Sequence, residues 1–355
     1  MKPENLVRPE ILRLAAYPVA DSSGLVKLDA MENPYSLPPP LRRELADTLS
    51  RVDLNRYPDP TGRELRELLA RKMQVPAGIE LLLGNGSDDL IQIVTMALAR
   101  PGAAMMYPAP TFVMYSMNAT FTGTQAVPVP LREDFTFDAS AFIARMREVR
   151  PALVFIAYPN NPTGVLYPEA DVLQVVRAAE GLVVIDEAYH VFAGASFMPR
   201  LAEFANLAVL RTVSKLGLAG IRLGYLAARP EWIEQLNKLR QVYNINVLTQ
   251  AAARFILERL EVLEEQAARI RSDRKTLGRA LAAMKGVTVF PSQANFFLVR
   301  LADADRTYEA LRRQGVLVKN LHPGLANCLR ITVGTPDENR ILLAALKEAL
   351  AHAQG

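Results

Sequence analysis

The strongest constraint on this chain is a repeated order: a short continuous apolar run, a loop rich in Gly, Asn, Pro or Ser, then a segment of helical period. Runs that stay apolar without alternating bury both faces, as strands do inside a parallel sheet covered by helices on each side. The clearest such runs are 80–83, 152–158, 182–185 and 207–210. The pattern predicts an α/β fold with a mostly parallel sheet. In such sheets ligands lie beyond the carboxyl ends of the strands, so chemistry is expected in the loops that follow these runs.

At 355 residues the chain exceeds one ordinary domain, and its character changes in the last third. Positions 248–284 read as one long helix with an apolar stripe, bridging two lobes. Strand candidates at 287–290, 295–299, 316–319 and 329–333, with a final helix over 336–352, predict a smaller α+β unit. The expected division is an N-terminal arm (1–40, Pro-rich, with little regular structure), a large domain (41–247) and a small C-terminal domain with the bridging helix (248–355).

Composition narrows the class. With 50% hydrophobic and 22% charged residues the chain is globular, and its net charge of +4 is spread without a basic block, which argues against nucleic acid as a partner. The single cysteine, Cys328, and the three histidines, His190, His322 and His352, show no metal-ligand spacing, so no metal is expected. Lys2, Glu4, Arg8, Glu10 and Arg13 interrupt any signal-peptide core, and no apolar stretch approaches a membrane span. A cytoplasmic protein is expected.

The loops carry the chemistry. In Gly84-Asn85-Gly86-Ser87-Asp88-Asp89 the glycines allow a tight turn, Ser87 is a candidate N-cap, and the helix start offers N–H groups to a phosphate. A plain strand-to-helix turn accounts for this loop as well, and it matches neither the Walker nor the dinucleotide fingerprint. The loop from Tyr158 to Gly164 reads as a rigid crossover, which leaves its paired asparagines, Asn160 and Asn161, unexplained. Asp186 puts a carboxylate at a buried strand end, where it requires a cationic partner. The fourth loop holds Thr212, Ser214 and Lys215, with Arg222 seven positions beyond the lysine.

Together these loops resemble the fold type I, aspartate aminotransferase-like enzymes that use pyridoxal 5′-phosphate (PLP). Within them the chain is most similar to the histidinol-phosphate aminotransferase family. The resemblance rests on Glu32-Asn33-Pro34-Tyr35, Asn55-Arg56-Tyr57-Pro58, the segment from Pro110 through Phe112 to Tyr115, Asn161-Pro162-Thr163-Gly164, Asp186-Glu187-Ala188-Tyr189, Ser214-Lys215, and Cys328-Leu329-Arg330 running on to Gly334. These motifs stand in order at family spacing over nearly the whole chain.

The resemblance implies a role for each. Lys215 bonds the cofactor aldehyde and then carries a proton, Asp186 keeps the pyridine nitrogen protonated, and Asn161 and Tyr189 hydrogen-bond the phenolic oxygen. The phosphate is held by backbone N–H groups of Gly86, Ser87 and Asp88, by Thr212 and Ser214, and by Arg222. Phe112 stacks on the ring, and Tyr57 reaches the phosphate of a neighbouring subunit, which implies a homodimer with shared active sites. Asn33, Asn161, Lys319 and Arg330 are the candidate substrate contacts, with Arg330 clamping the glutamate carboxylate or the histidinol phosphate. Tyr115, Glu187 and His190 read as packing or supporting residues.

Two departures concern the lysine-to-arginine interval, one shorter than in many members, and Lys319, which stands where many relatives have an arginine. The expected reaction is transamination between L-histidinol phosphate and 2-oxoglutarate. An aromatic amino-acid aminotransferase, a threonine-phosphate decarboxylase and a catalytically silent relative are the alternatives.

Overall fold

The computed structural model describes residues 2–16 and 18–351, so His352, placed at the end of the last helix, lies outside the described residues. The large sheet contains β2 (Glu80–Gly84), β3 (Ala104–Ala109), β4 (Gln125–Pro130), β5 (Leu153–Ala157), β6 (Leu182–Asp186), β7 (Leu207–Thr212) and β8 (Gly224–Ala228), preceded in the chain by β1 (Val26–Lys27). Its order is β2-β8-β7-β6-β5-β3-β4. Only β8 runs antiparallel to its neighbours. The loops after β2, β5, β6 and β7 therefore leave the sheet at one edge.

The unbroken apolar runs form strands because alternate side chains feed two cores. Val154, Ile156, Val183, Ile185 and Val209 enter one core, while Leu153, Phe155, Leu182, Val184 and Leu210 enter the other. Helices cover both faces: Leu65, Leu68 and Leu69 of Arg63–Lys72 pack on the first, and Leu90, Ile91 and Val94 of Ser87–Leu98 on the second.

The stretch read as one long helix is two, Val247–Leu257 and Glu261–Ala282. No Gly or Pro marks the break. The turn lets Leu257, Leu260 and Leu263 all face the large core before the second helix buries Ala267, Ile270, Leu277 and Leu281 in another. The large core therefore extends past the expected boundary at 248, to Leu263.

That second core is built on β9 (Thr288–Val289), β10 (Phe296–Arg300), β12 (Lys319–Asn320) and β13 (Cys328–Thr332), an antiparallel sheet of order β12-β13-β10-β9. The run 316–319 does not form one strand. β11 (Val316–Leu317) pairs in parallel with β1, whereas β12 pairs with β13. The N-terminal arm is thus more than a wrapping: β1 joins this lobe, and Leu28 and Met31 lie in its core.

The large sheet meets the first candidate loop at Gly224, paired with Gly84. A Cβ on Gly224 would stand 2.6 Å from the Gly86 carbonyl carbon and 2.7 Å from the Ser87 nitrogen. Gly224→Ala is therefore expected to lower stability by about 1–3 kcal/mol, the usual cost of overpacking, measured by urea unfolding. Unchanged stability would mean that this approach of two backbones is not rigid.

Candidate active site

The first loop ends in an anion-binding arrangement. Gly86, not Ser87, caps the helix, at φ 87°, and Ser87 is the first helical residue. The amides of a helix's first turn have no intrahelical acceptor. Facing them is Arg222, whose Nη1 donates to Ser214 Oγ at 3.3 Å and whose Nη2 lies 3.8 Å from the Asp88 carboxylate. A Cβ on Gly86 would stand 2.7 Å from Arg222 Nη2, so glycine is what leaves room for the guanidinium. The Thr212 hydroxyl lies 2.9 Å from Ser214 Oγ and 3.1 Å from the Leu223 carbonyl. The short interval from Lys215 to Arg222 closes through two left-handed residues, Gly217 at φ 137° and Arg222 at φ 50°.

Lys215 projects from the loop after β7, and its Nζ donates to the Ala30 carbonyl at 2.9 Å. Burial, with the positive charge of Arg330 next, brings its pKa down to about 8, against the pull of Glu32 and Asp88. Such an amine is neutral often enough near neutral pH to act as a nucleophile.

Asp186 ends β6 with 4% of its surface exposed. Tyr115 Oη donates to Asp186 Oδ2 at 2.7 Å, and the Ala188 amide donates to Oδ1 at 3.1 Å. No lysine or arginine forms an ion pair with it among the described residues. Burial consequently pushes its carboxyl up to about 6 despite both hydrogen bonds. Tyr115 is itself fully buried and stacks on Phe155 at 4.6 Å, while Phe112 meets it edge-on at 5.8 Å.

The small lobe reaches these groups through Asn161. Arg330 on β13 donates from Nη1 to Asn161 Oδ1 at 2.6 Å and from Nη2 to the Asp29 carbonyl at 2.9 Å. Lys319 is its cross-strand partner, and directly opposed residues project to the same face of a sheet. Tyr189 donates its hydroxyl to Met31 Sδ at 3.2 Å, and Lys215 Nζ lies 5.9 Å from its ring centre.

One cavity is lined by every residue expected to bind cofactor except Gly86 and Tyr57. Of the four candidate substrate contacts only Asn161 lines this cavity; Arg330 touches Asn161 from outside it, and Lys319 lies across from Arg330. Asn33 is engaged elsewhere: its Nδ2 donates to the Leu216 carbonyl and to Gln266, and its Oδ1 accepts from the Tyr35 amide. It ties the arm to the lysine loop. Tyr57 is 81% exposed and stacks on Tyr243 at 4.4 Å, away from this chain's own cavity. Met31 and Pro159 line the cavity without having been singled out; neither side chain carries a chemical signature in sequence.

An acid raised above its ordinary value keeps, when folded, a proton that the unfolded chain has lost. Stability of the ligand-free protein therefore falls as pH rises from the usual aspartate value of 3.8 to about 6, and stays lower above it. Asp186→Asn removes that penalty and is expected to stabilise the ligand-free protein at pH 8 by on the order of 2–3 kcal/mol in urea unfolding. No gain at pH 8 would mean that the carboxylate is already balanced.

The sequence profile of aminotransferase class I and II matches residues 23–346. This chain belongs to that family. It is 56% identical to histidinol-phosphate aminotransferase 2 of Cupriavidus pinatubonensis, covering 98% of this chain and 97% of that one. It is 54% identical to the histidinol-phosphate aminotransferase of Chromobacterium violaceum, over 97% and 98% of the two chains. Among solved structures, histidinol-phosphate aminotransferase from Sinorhizobium meliloti in complex with pyridoxal-5′-phosphate superposes with a TM-score of 0.87 at 26% identity, covering 98% of each chain.

Proposed function

We propose that this chain is a PLP-dependent aminotransferase that exchanges the amino group of L-histidinol phosphate with 2-oxoglutarate, yielding imidazole acetol phosphate and L-glutamate. The observation that carries the reading is the pairing, across one cavity, of a partly desolvated lysine with a buried carboxylate that no cation answers among the described residues. The similarity to histidinol-phosphate aminotransferases at more than half identity supports the substrate.

The residues fit the cofactor. The Gly86 cradle, the first-turn amides, Ser214, Thr212 and Arg222 suit a phosphate dianion, and the buried Asp186 suits a protonated ring nitrogen. When bound, PLP supplies an aldehyde for the amino group and a ring that accepts electron density. Lys215 Nζ, partly neutral, would be the amine that holds the aldehyde carbon and the base that carries a proton to and from substrate carbon. Asp186 would hold a proton on the ring nitrogen, and Tyr115 holds Asp186. Asn161, its Oδ1 accepting from Arg330, has Nδ2 to offer the phenolic oxygen, which Tyr189 also serves. Phe112, in the cavity lining, would pack on the ring, and Arg330, beside Asn161, would orient the anionic group of each substrate with its planar fork.

Lys215→Ala is expected to abolish turnover in a coupled assay with glutamate and imidazole acetol phosphate while leaving PLP bound through the phosphate groups. Normal turnover in that variant would overturn the assignment, aromatic substrates preferred by the wild type would favour an aromatic aminotransferase, and CO2 release from threonine phosphate a decarboxylase. Arg330→Ala should impair both half-reactions. Lys319→Ala should raise KM for histidinol phosphate selectively, by a factor corresponding to about 1.5–3 kcal/mol for a contact to a charged group. Equal effects on both substrates would remove Lys319 from phosphate recognition.

We place the enzyme in the cytoplasm as a homodimer. Tyr57 and Tyr243 stack on one another while exposed, and their chain neighbours Leu54 and Val242 are exposed as well, apolar surface suited to a second copy of the chain. If Tyr57 serves the partner's site, mixing Tyr57→Phe and Lys215→Ala subunits restores an intact site in each hybrid, roughly a quarter of all sites on random reassortment. If Tyr57 serves its own site, mixing restores nothing.

A further inference from the structure

On the reverse face of the sheet from the cavity lies a buried ion pair that the proposed reaction does not use. Successive strand residues point to opposite faces, so Asp186 and Thr212 face the cavity while their neighbours Glu187 and Arg211 face away. Those neighbours meet. Arg211 Nε donates to Glu187 Oε2 at 2.9 Å, and its Nη2 lies 2.8 Å from the same oxygen. The Glu187 side chain is 0% exposed and that of Arg211 6%.

The pair gathers separate segments. Ser196 Oγ donates to Glu187 Oε2 at 2.8 Å and accepts from Arg211 Nη2 at 2.7 Å, and the Phe197 amide donates to Glu187 Oε1. Tyr225 on β8, in register with Arg211, brings its hydroxyl within 3.5 Å of Arg211 Nη1. The Glu187 amide donates to the Leu210 carbonyl at 2.8 Å, and the Glu187 carbonyl accepts from the His190 amide at 3.0 Å. Burying two charges gains little stability over apolar packing of the same volume. What such a pair does provide is direction, since two nitrogens of one planar guanidinium converge on Glu187 Oε2 while the Phe197 amide holds Oε1.

We propose that Glu187 and Arg211, with Ser196, are positioning residues that clamp the carboxyl ends of β6 and β7 and so set the span between Asp186 and the Thr212 and Ser214 hydroxyls. This rests on the reading of the cavity as a PLP site, where that span separates the ring-nitrogen contact from the phosphate contacts. One rigid ligand must satisfy both ends, so a loosened clamp harms PLP while sparing a ligand that touches one end only.

The test compares Arg211→Lys, which keeps the charge and loses the fork, with Glu187→Gln, which keeps the shape and loses the charge. Each is checked for folding by urea unfolding, then titrated without cofactor against inorganic phosphate and against PLP by calorimetry, and the loaded protein is examined by visible circular dichroism. The expected result is phosphate affinity within about twofold of wild type, PLP affinity lower by on the order of tenfold, and a weakened cofactor dichroism band. If Arg211→Lys does not fold, Glu187→Gln carries the test. Unchanged PLP affinity and dichroism in a folded variant overturn the clamp, as does a loss of phosphate affinity equal to that of PLP. A wild type that fails to bind PLP overturns the functional reading instead.

Discussion

A carboxylate answered by hydrogen bonds and by no cation among the described residues, at the end of a fully buried strand, is the constraint around which this structure is arranged. Asp186 raises the energy of the ligand-free fold at neutral pH, because Tyr115 and the Ala188 amide do not offset the loss of water. A cation delivered into the cavity relieves that cost. A ligand that brings a positive charge against Asp186 is thus favoured in this cavity. Protein stability and ligand affinity are opposed at this position, as they commonly are at active sites.

The rest of the fold holds other groups at fixed offsets from that carboxylate. Parallel strands deliver their loops to one edge, so Asn161, Asp186, Thr212 and Lys215 converge although they are scattered in sequence. The end of the cavity at Ser87 and Asp88 depends on two backbones in near contact at Gly86 and Gly224. The second lobe contributes Arg330, and the arm contributes the carbonyls of Asp29 and Ala30 that hold Arg330 and Lys215. An arm segment with almost no regular structure therefore forms part of the site.

Most of the residues that line the cavity were legible from sequence, since strands buried on both faces leave an unmistakable apolar run and the loops after them carry unusual polar residues. What escaped was decided by tertiary packing. The break near Glu258 has no Gly or Pro and follows from Leu257, Leu260 and Leu263 sharing one core. The run 316–319 splits because its two halves find different partners, β1 and β13. Asn33 stands in a recognisable motif, yet its amide is engaged by Leu216 and Gln266, which no spacing rule anticipates. Tyr115 reads as packing or support, and only the structure shows that it supports Asp186, through its hydroxyl.

The account turns on whether Asp186 is a counter-ion for a ring proton. The most direct measurement is the 15N chemical shift of the pyridine nitrogen in protein loaded with labelled PLP at pH 8, for wild type and Asp186→Asn. The account predicts a protonated nitrogen in the wild type and an unprotonated one in the variant. A wild-type nitrogen unprotonated at that pH, or one still protonated in the variant, would contradict it.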